Sequence, residues 1–102
     1  MKIVKDNKTF LQAVADLNVK QSKALLLKAD KTQLRCISEI AHNIIAGVIQ
    51  LSTKDKTLLN KFKWAIRKIA GDRKTLKYRH TVILAKVKAV KAIIRVVLQK
   101  LD

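Results

Sequence analysis

Proline is absent from this chain and glycine occurs twice, so helices meet few interruptions and no stretch has the composition of a flexible linker. The single cysteine, Cys36, excludes an internal disulfide and fits a reducing compartment. No run of 18 or more apolar residues occurs, since Lys86, Lys88, Lys91 and Arg95 interrupt Ile83 to Leu98, and a membrane-spanning helix is therefore not expected. Met1 to Phe10 is polar after Val4 and lacks the apolar centre of a secretory signal. Carboxylates are scarce too: 7 Asp and Glu stand against 23 Lys and Arg.

That scarcity bears on chemistry. The seven acids are scattered as caps and surface charges, and no pair at helical spacing offers an acid and a base. Cys36 and His42 lie six residues apart, about 120° from each other on a helical wheel, so they do not form a nucleophile and its base. His42 and His80 lack the neighbouring Cys or His that a zinc site needs, and no glycine-rich phosphate loop exists. A non-enzymatic protein without cofactor or metal is the expectation.

What remains is apolar content and positive charge. At 102 residues and 49% hydrophobic, the chain supports one domain with one modest core and is too apolar for wholesale disorder. Its apolar spacing predicts helices over Thr9 to Leu17, Val19 to Ala29, Lys31 to Ala46, Thr53 to Ala70 and about Leu76 to Leu101. On the third, Leu34, Ile37, Ile40, Ala41, Ile44, Ile45 and Val48 form an apolar stripe. Val and Ile, with Lys86, Val87 and Lys88 alternating, give the last segment a strand-like patch, but 26 residues far exceed an ordinary strand. The boundaries carry matching signals. Asn7 or Asp6, Asn18, Asp30 with Gln33, and Ser52 with Asp55 stand where N-caps belong, while Gly47 and Gly71 stand where left-handed C-caps belong. The expected fold is all-α: a compact bundle of four or five helices with short connections.

The formal charge is +16 and it is uneven. Residues 1–50 hold eight Lys and Arg against four acids, net +4; residues 51–102 hold fifteen against three, net +12. Such a balance costs self-repulsion unless a polyanion neutralises it, so an acidic partner is expected, with nucleic acid foremost. Arg73, Lys74, Lys77 and Arg79 crowd the turn into the last helix, where free amides attract phosphate. Lys77, Lys88, Lys91 and Arg95 fall on one side of that helix. Lys56, Lys63, Arg67 and Lys68 flank Trp64, the single tryptophan. Taken together these cations suit a surface that tracks a phosphate backbone without reading sequence.

Trp64 is the anomaly. On one continuous helix it lies opposite Leu58, Leu59, Phe62, Ala65, Ile66 and Ile69, amid the basic residues. Three roles stay open: a second helix covers it, unpaired bases stack on it, or a protein partner docks there. An interfacial membrane helix places its tryptophan on the apolar side, unlike this one. A two-helix DNA reader joined at Gly71 to Thr75 would bring Tyr78 and Arg79 near bases, but the Asn, Gln and Arg that read base edges are sparse. Among partners, the alternative to nucleic acid is an acidic protein, or a second copy docking through the wide apolar last helix.

The central stretch LLLKADKTQLRCISEIAHNIIAGVIQLSTKDKTLLNKFKWAIRKIAG resembles a small basic protein encoded by Maverick/Polinton-type elements and adenovirus-like viruses of invertebrates. The resemblance lies in Leu34, Cys36, Glu39, Ala41 and Asn43, then Gly47, then Leu51 and Ser52 before a lysine-rich segment ending in Ile66, Arg67, Lys68 and Ala70. It implies a virion-core role in which DNA is bound and condensed, and hence an intracellular protein of nucleus or virion, not a secreted one. The chain departs from that pattern at Gln50, where the family tends to have proline, and over Thr81 to Asp102, which replaces a basic tail ending in a Gly-Gly hydrophobic segment.

Overall fold

The computed structural model describes residues 1–71 and 75–101; Arg73 and Lys74 lie outside the described residues. Among the described residues the regular structure is all helix, as α1 (Lys2–Asp6), α2 (Lys8–Asp16), α3 (Val19–Leu27), α4 (Lys31–Ile45), α5 (Thr53–Asn60), α6 (Lys63–Ala70), α7 (Leu76–Ala85) and α8 (Val87–Leu98). The all-α class holds, with eight helices in place of the expected four or five. Three differences make up the change. Lys2–Asp6 adds a short helix, the predicted Thr53 to Ala70 helix breaks at Lys61 and Phe62, and the predicted last helix breaks at Lys86. Phe62 (φ −113°, ψ 13°) and Lys86 (φ −124°, ψ 42°) leave helical geometry without any glycine or proline to cause it.

Three caps follow the sequence closely. Asn18 accepts from the Gln21 amide at 2.8 Å, Asp30 from Gln33 at 2.8 Å and Ser52 from Asp55 at 3.0 Å, each with the reciprocal side-chain bond of a capping box. Asn7 starts α2 without a side-chain cap: its backbone (φ −114°, ψ 19°) is not the extended one of a capping residue, and its Nδ2 donates to Ile3 O at 2.8 Å. The two glycines differ. Gly47 adopts φ +76° just beyond α4, whereas Gly71 closes α6 at φ −46° and has no left-handed requirement. A Cβ at Gly47 would meet nothing within 4 Å, so only backbone strain opposes a side chain there. Gly47→Ala should therefore cost about 1–2 kcal/mol in urea unfolding, while Gly71→Ala escapes that penalty.

The core is one cluster. Helix α4, with Ile37 and Ile40 buried, packs against α6, with Ile66 and Ile69 buried, and α2 with Leu11 and Val14 lies against α8. Val48, expected on the α4 stripe, lies beyond the helix end and is exposed. The central element is α8: nine of its twelve residues are buried, as befits a helix apolar on nearly every side. Its wide apolar surface is thus consumed within the chain rather than left for a second copy. No described helix is long and apolar enough to cross a membrane.

At the far end of α8, Lys100 Nζ pairs with Asp55 Oδ2 at 3.1 Å and ties the C-terminal segment to α5. The Lys100 hydrogen bond, then that from the Ser52 amide, holds the Asp55 carboxyl below its usual range. A depressed folded-state pKa gives stability that is present above the ordinary carboxylate value and is lost as pH falls through the folded one. An NMR titration of Asp55 should record the low value, and Lys100→Gln should move it upward.

Candidate nucleic-acid interface

Trp64 is uncovered. It sits 65% exposed on α6, with Arg67 Cζ 5.0 Å and Lys63 Nζ 5.4 Å from the ring centroid. Exposed cation–π contacts of this kind contribute about 0.5–1 kcal/mol each, little enough for a ligand to displace one. The ring borders an open cleft of about 510 Å3 whose apolar lining includes Phe62, Ala65, Leu84 and Val87 and whose charged lining is Lys23, Lys61, Lys86 and Lys88. Among the described residues no carboxylate lines it.

This geometry revises the helical wheel. On an unbroken helix Phe62 and Trp64 are about 200° apart; with the helix interrupted at Lys61 and Phe62, both line the same cleft. Val19, Phe62 and Lys88 also line a second cleft of about 550 Å3, which runs on past Leu58 and Ala92 to Arg95 and whose wall includes the Asp16 carboxylate. Val19 and Leu58 are among the large apolar side chains left exposed, as is Trp64. The two clefts share three residues and make one furrow.

The described cations among those predicted from sequence line several clefts. Lys63, Trp64 and Arg67 cluster as expected, and Lys88 and Arg95 line the furrow. Lys56 lies instead beside Gly47 and Lys100 in another cleft, and Arg79 with Arg35, Glu39 and His42 in a third. Lys68 and Lys77 are exposed on α6 and α7. The break at Lys86 separates Lys77 from the row that was to continue through Lys88, Lys91 and Arg95.

Lys91 is a correction. It is 5% exposed, and its ammonium donates to Val14 O (2.7 Å), Ala15 O (3.1 Å), Leu17 O and Ser22 Oγ (3.1 Å). It points inward because the α2 carbonyls left over at the helix end need donors and carry the negative end of the helix dipole. Burial, then the neighbouring Arg95 charge, lowers its pKa from the ordinary lysine value, with Asp16 opposing. Arg95 reaches the same helix end, donating from Nη2 to Ala15 O at 2.9 Å, yet stays exposed.

Sequence reasoning missed Lys23, Lys61 and Lys86. Lys23 stands in the less basic half, and the other two stand at helix breaks that nothing local announces. Of the groups weighed for chemistry, the Cys36 thiol is buried and pushed up to about 12 by burial and then by Glu39, so it stays protonated and unreactive at neutral pH. His80 Nε2 lies 2.9 Å from Leu26 O, a contact that ties α7 to α3.

Among the described residues no carboxylate pairs with Lys23, Lys61, Lys63, Arg67, Lys86 or Lys88. Comparison with family models, with curated proteins and with solved structures finds no match to the chain.

Proposed function

We propose that this protein binds nucleic acid, DNA by preference, through phosphate contacts and without catalysing a reaction. The observation that carries this reading is the row of unpaired cations beside Trp64 on a chain of net charge +16. Several lysines and arginines held by different helices along one furrow match a polyanion better than a single small anion. Base-edge readers are few, so affinity should vary little with sequence. The contacts are centred on Lys63, Trp64, Arg67, Lys88 and Arg95, with Lys23, Lys61 and Lys86 added. Lys56, Lys68, Lys77 and Arg79, together with Arg73 and Lys74, supply a more diffuse field that condenses a long polymer around the protein.

The resemblance of residues 25–71 to basic proteins of Maverick-type elements and adenovirus-like viruses fits genome packaging or condensation in a virion or nucleus. A gel-shift at low salt tests the reading. Mixed-sequence DNA should be retarded, and a failure to retard either duplex or single strands would sink it.

A further inference from the structure

We infer that the furrow beside Trp64 takes single-stranded nucleic acid, with a base stacked on the indole and the neighbouring phosphates on the lysines. The inference rests on the nucleic-acid reading above and narrows it.

The first argument is access. A duplex hides the faces of its bases in its own stack and offers edges and phosphates only, whereas an unpaired base presents a face. Trp64 likewise presents a face, being 65% exposed within a helix rather than folded into the core. The second is shape. A stiff duplex lies across a surface, but the first cleft is concave, of about 510 Å3, within the range of roughly 300–1,000 Å3 that holds ligands. The third is composition. Apolar side chains form much of the lining while Lys23, Lys61, Lys86 and Lys88 stand with them, which is the pattern of a site that stacks bases and neutralises phosphates together. A duplex site needs the charge and has no use for Phe62, Leu84 and Val19 left in contact with solvent.

The furrow also has length. Through Val19, Phe62 and Lys88 the first cleft continues into the second, where Leu58 stands near Arg95 but the Asp16 carboxylate also lines the wall. The stacked base and its nearest phosphates therefore belong to the first cleft, and the second carries the strand onward past Arg95. Bound this way, the strand displaces Arg67 or Lys63 from one indole face, and the freed cation is placed to meet a phosphate.

Trp64 is the single tryptophan, so its fluorescence reports this site alone. The full-length chain is titrated at low salt with a mixed-sequence oligonucleotide of about a dozen nucleotides, its duplex, an abasic oligomer of equal length, and polyglutamate. The expected result is saturable quenching by the oligonucleotide, weaker binding without quenching by the abasic oligomer, and a preference for single strand over duplex. Trp64→Ala should lower single-strand affinity by roughly 5- to 100-fold, with an unchanged circular dichroism spectrum because the side chain is exposed. Equal affinity for strand and duplex, or a Trp64→Ala variant that binds single strands normally, overturns the inference and leaves the broader reading standing. Quenching by polyglutamate as strong as by the oligonucleotide also overturns it, in favour of an acidic protein partner. No binding to any nucleic acid removes both.

Discussion

Replacing Lys91 with methionine should destabilise the fold by about 3 kcal/mol, which for a domain of this size is on the order of 10–20 °C in Tm. Methionine fills a similar volume and is content in an apolar setting, so little packing is lost. The loss is in the acceptors. Val14 O, Ala15 O and Leu17 O belong to the backbone at the end of α2 and cannot be removed along with their donor, and Ser22 Oγ already donates to Val14 O at 2.8 Å. An ammonium has three donors to share among these four acceptors; a thioether has none. Ser22 Oγ keeps its bond to Val14 O and Arg95 Nη2 its bond to Ala15 O, so Leu17 O loses its main donor and the other two each lose a charge-assisted bond worth about 1.5–3 kcal/mol before water compensates. Arg95→Met, which removes one bond from an exposed side chain, should cost about 1 kcal/mol. Urea unfolding of the two variants checks the contrast. Equal, small effects would mean that the carbonyls are hydrated and that Lys91 is not the cap.

Lys91 also shows where sequence reading stops. Counting it among phosphate-binding cations treated every lysine as solvated, yet VKAVKAIIRVVL surrounds it with Ala89, Val90, Ala92, Ile93 and Ile94. A helix with apolar residues on so many sides belongs in the centre, and a lysine there must find donors' work inside the protein. The helix class and the boxes at Asn18, Asp30 and Ser52 were legible because capping is local chemistry, decided within four residues.

The breaks at Phe62 and Lys86 were not legible. Neither contains glycine or proline, and the helices that follow the breaks bury Ile66, Ile69 and Ile93 in the common core. One consequence reached the site itself. An uninterrupted wheel set Trp64 against Phe62, whereas the broken helix puts them on one furrow. The basic character of that furrow was half legible: Lys63, Arg67, Lys88 and Arg95 followed from local crowding, but Lys23 joins from another helix through tertiary packing alone.

Association with nucleic acid should fall steeply with salt. If about five phosphates are neutralised along the furrow, the logarithm of affinity declines with the logarithm of salt at a slope of about −3.5 for a single strand and −4.5 for a duplex. A fourfold rise in salt then weakens binding by roughly 100- to 500-fold. Charge removal should show the same physics, with Lys86→Gln and Lys88→Gln together reducing the slope by about 1.5 to 2. Apolar assembly behaves in the opposite way, since burial of apolar surface survives high salt. With α8 consumed inside the chain, such assembly has lost the surface expected to drive it.

The most direct measurement is the affinity of the full chain for mixed-sequence DNA, single-stranded and duplex, across a salt series. The expected result is a log–log slope of about −3.5 to −4.5, little change when the sequence is scrambled, and release of bound DNA by a high-salt wash. A slope near zero, or retention of the partner at high salt, would contradict it.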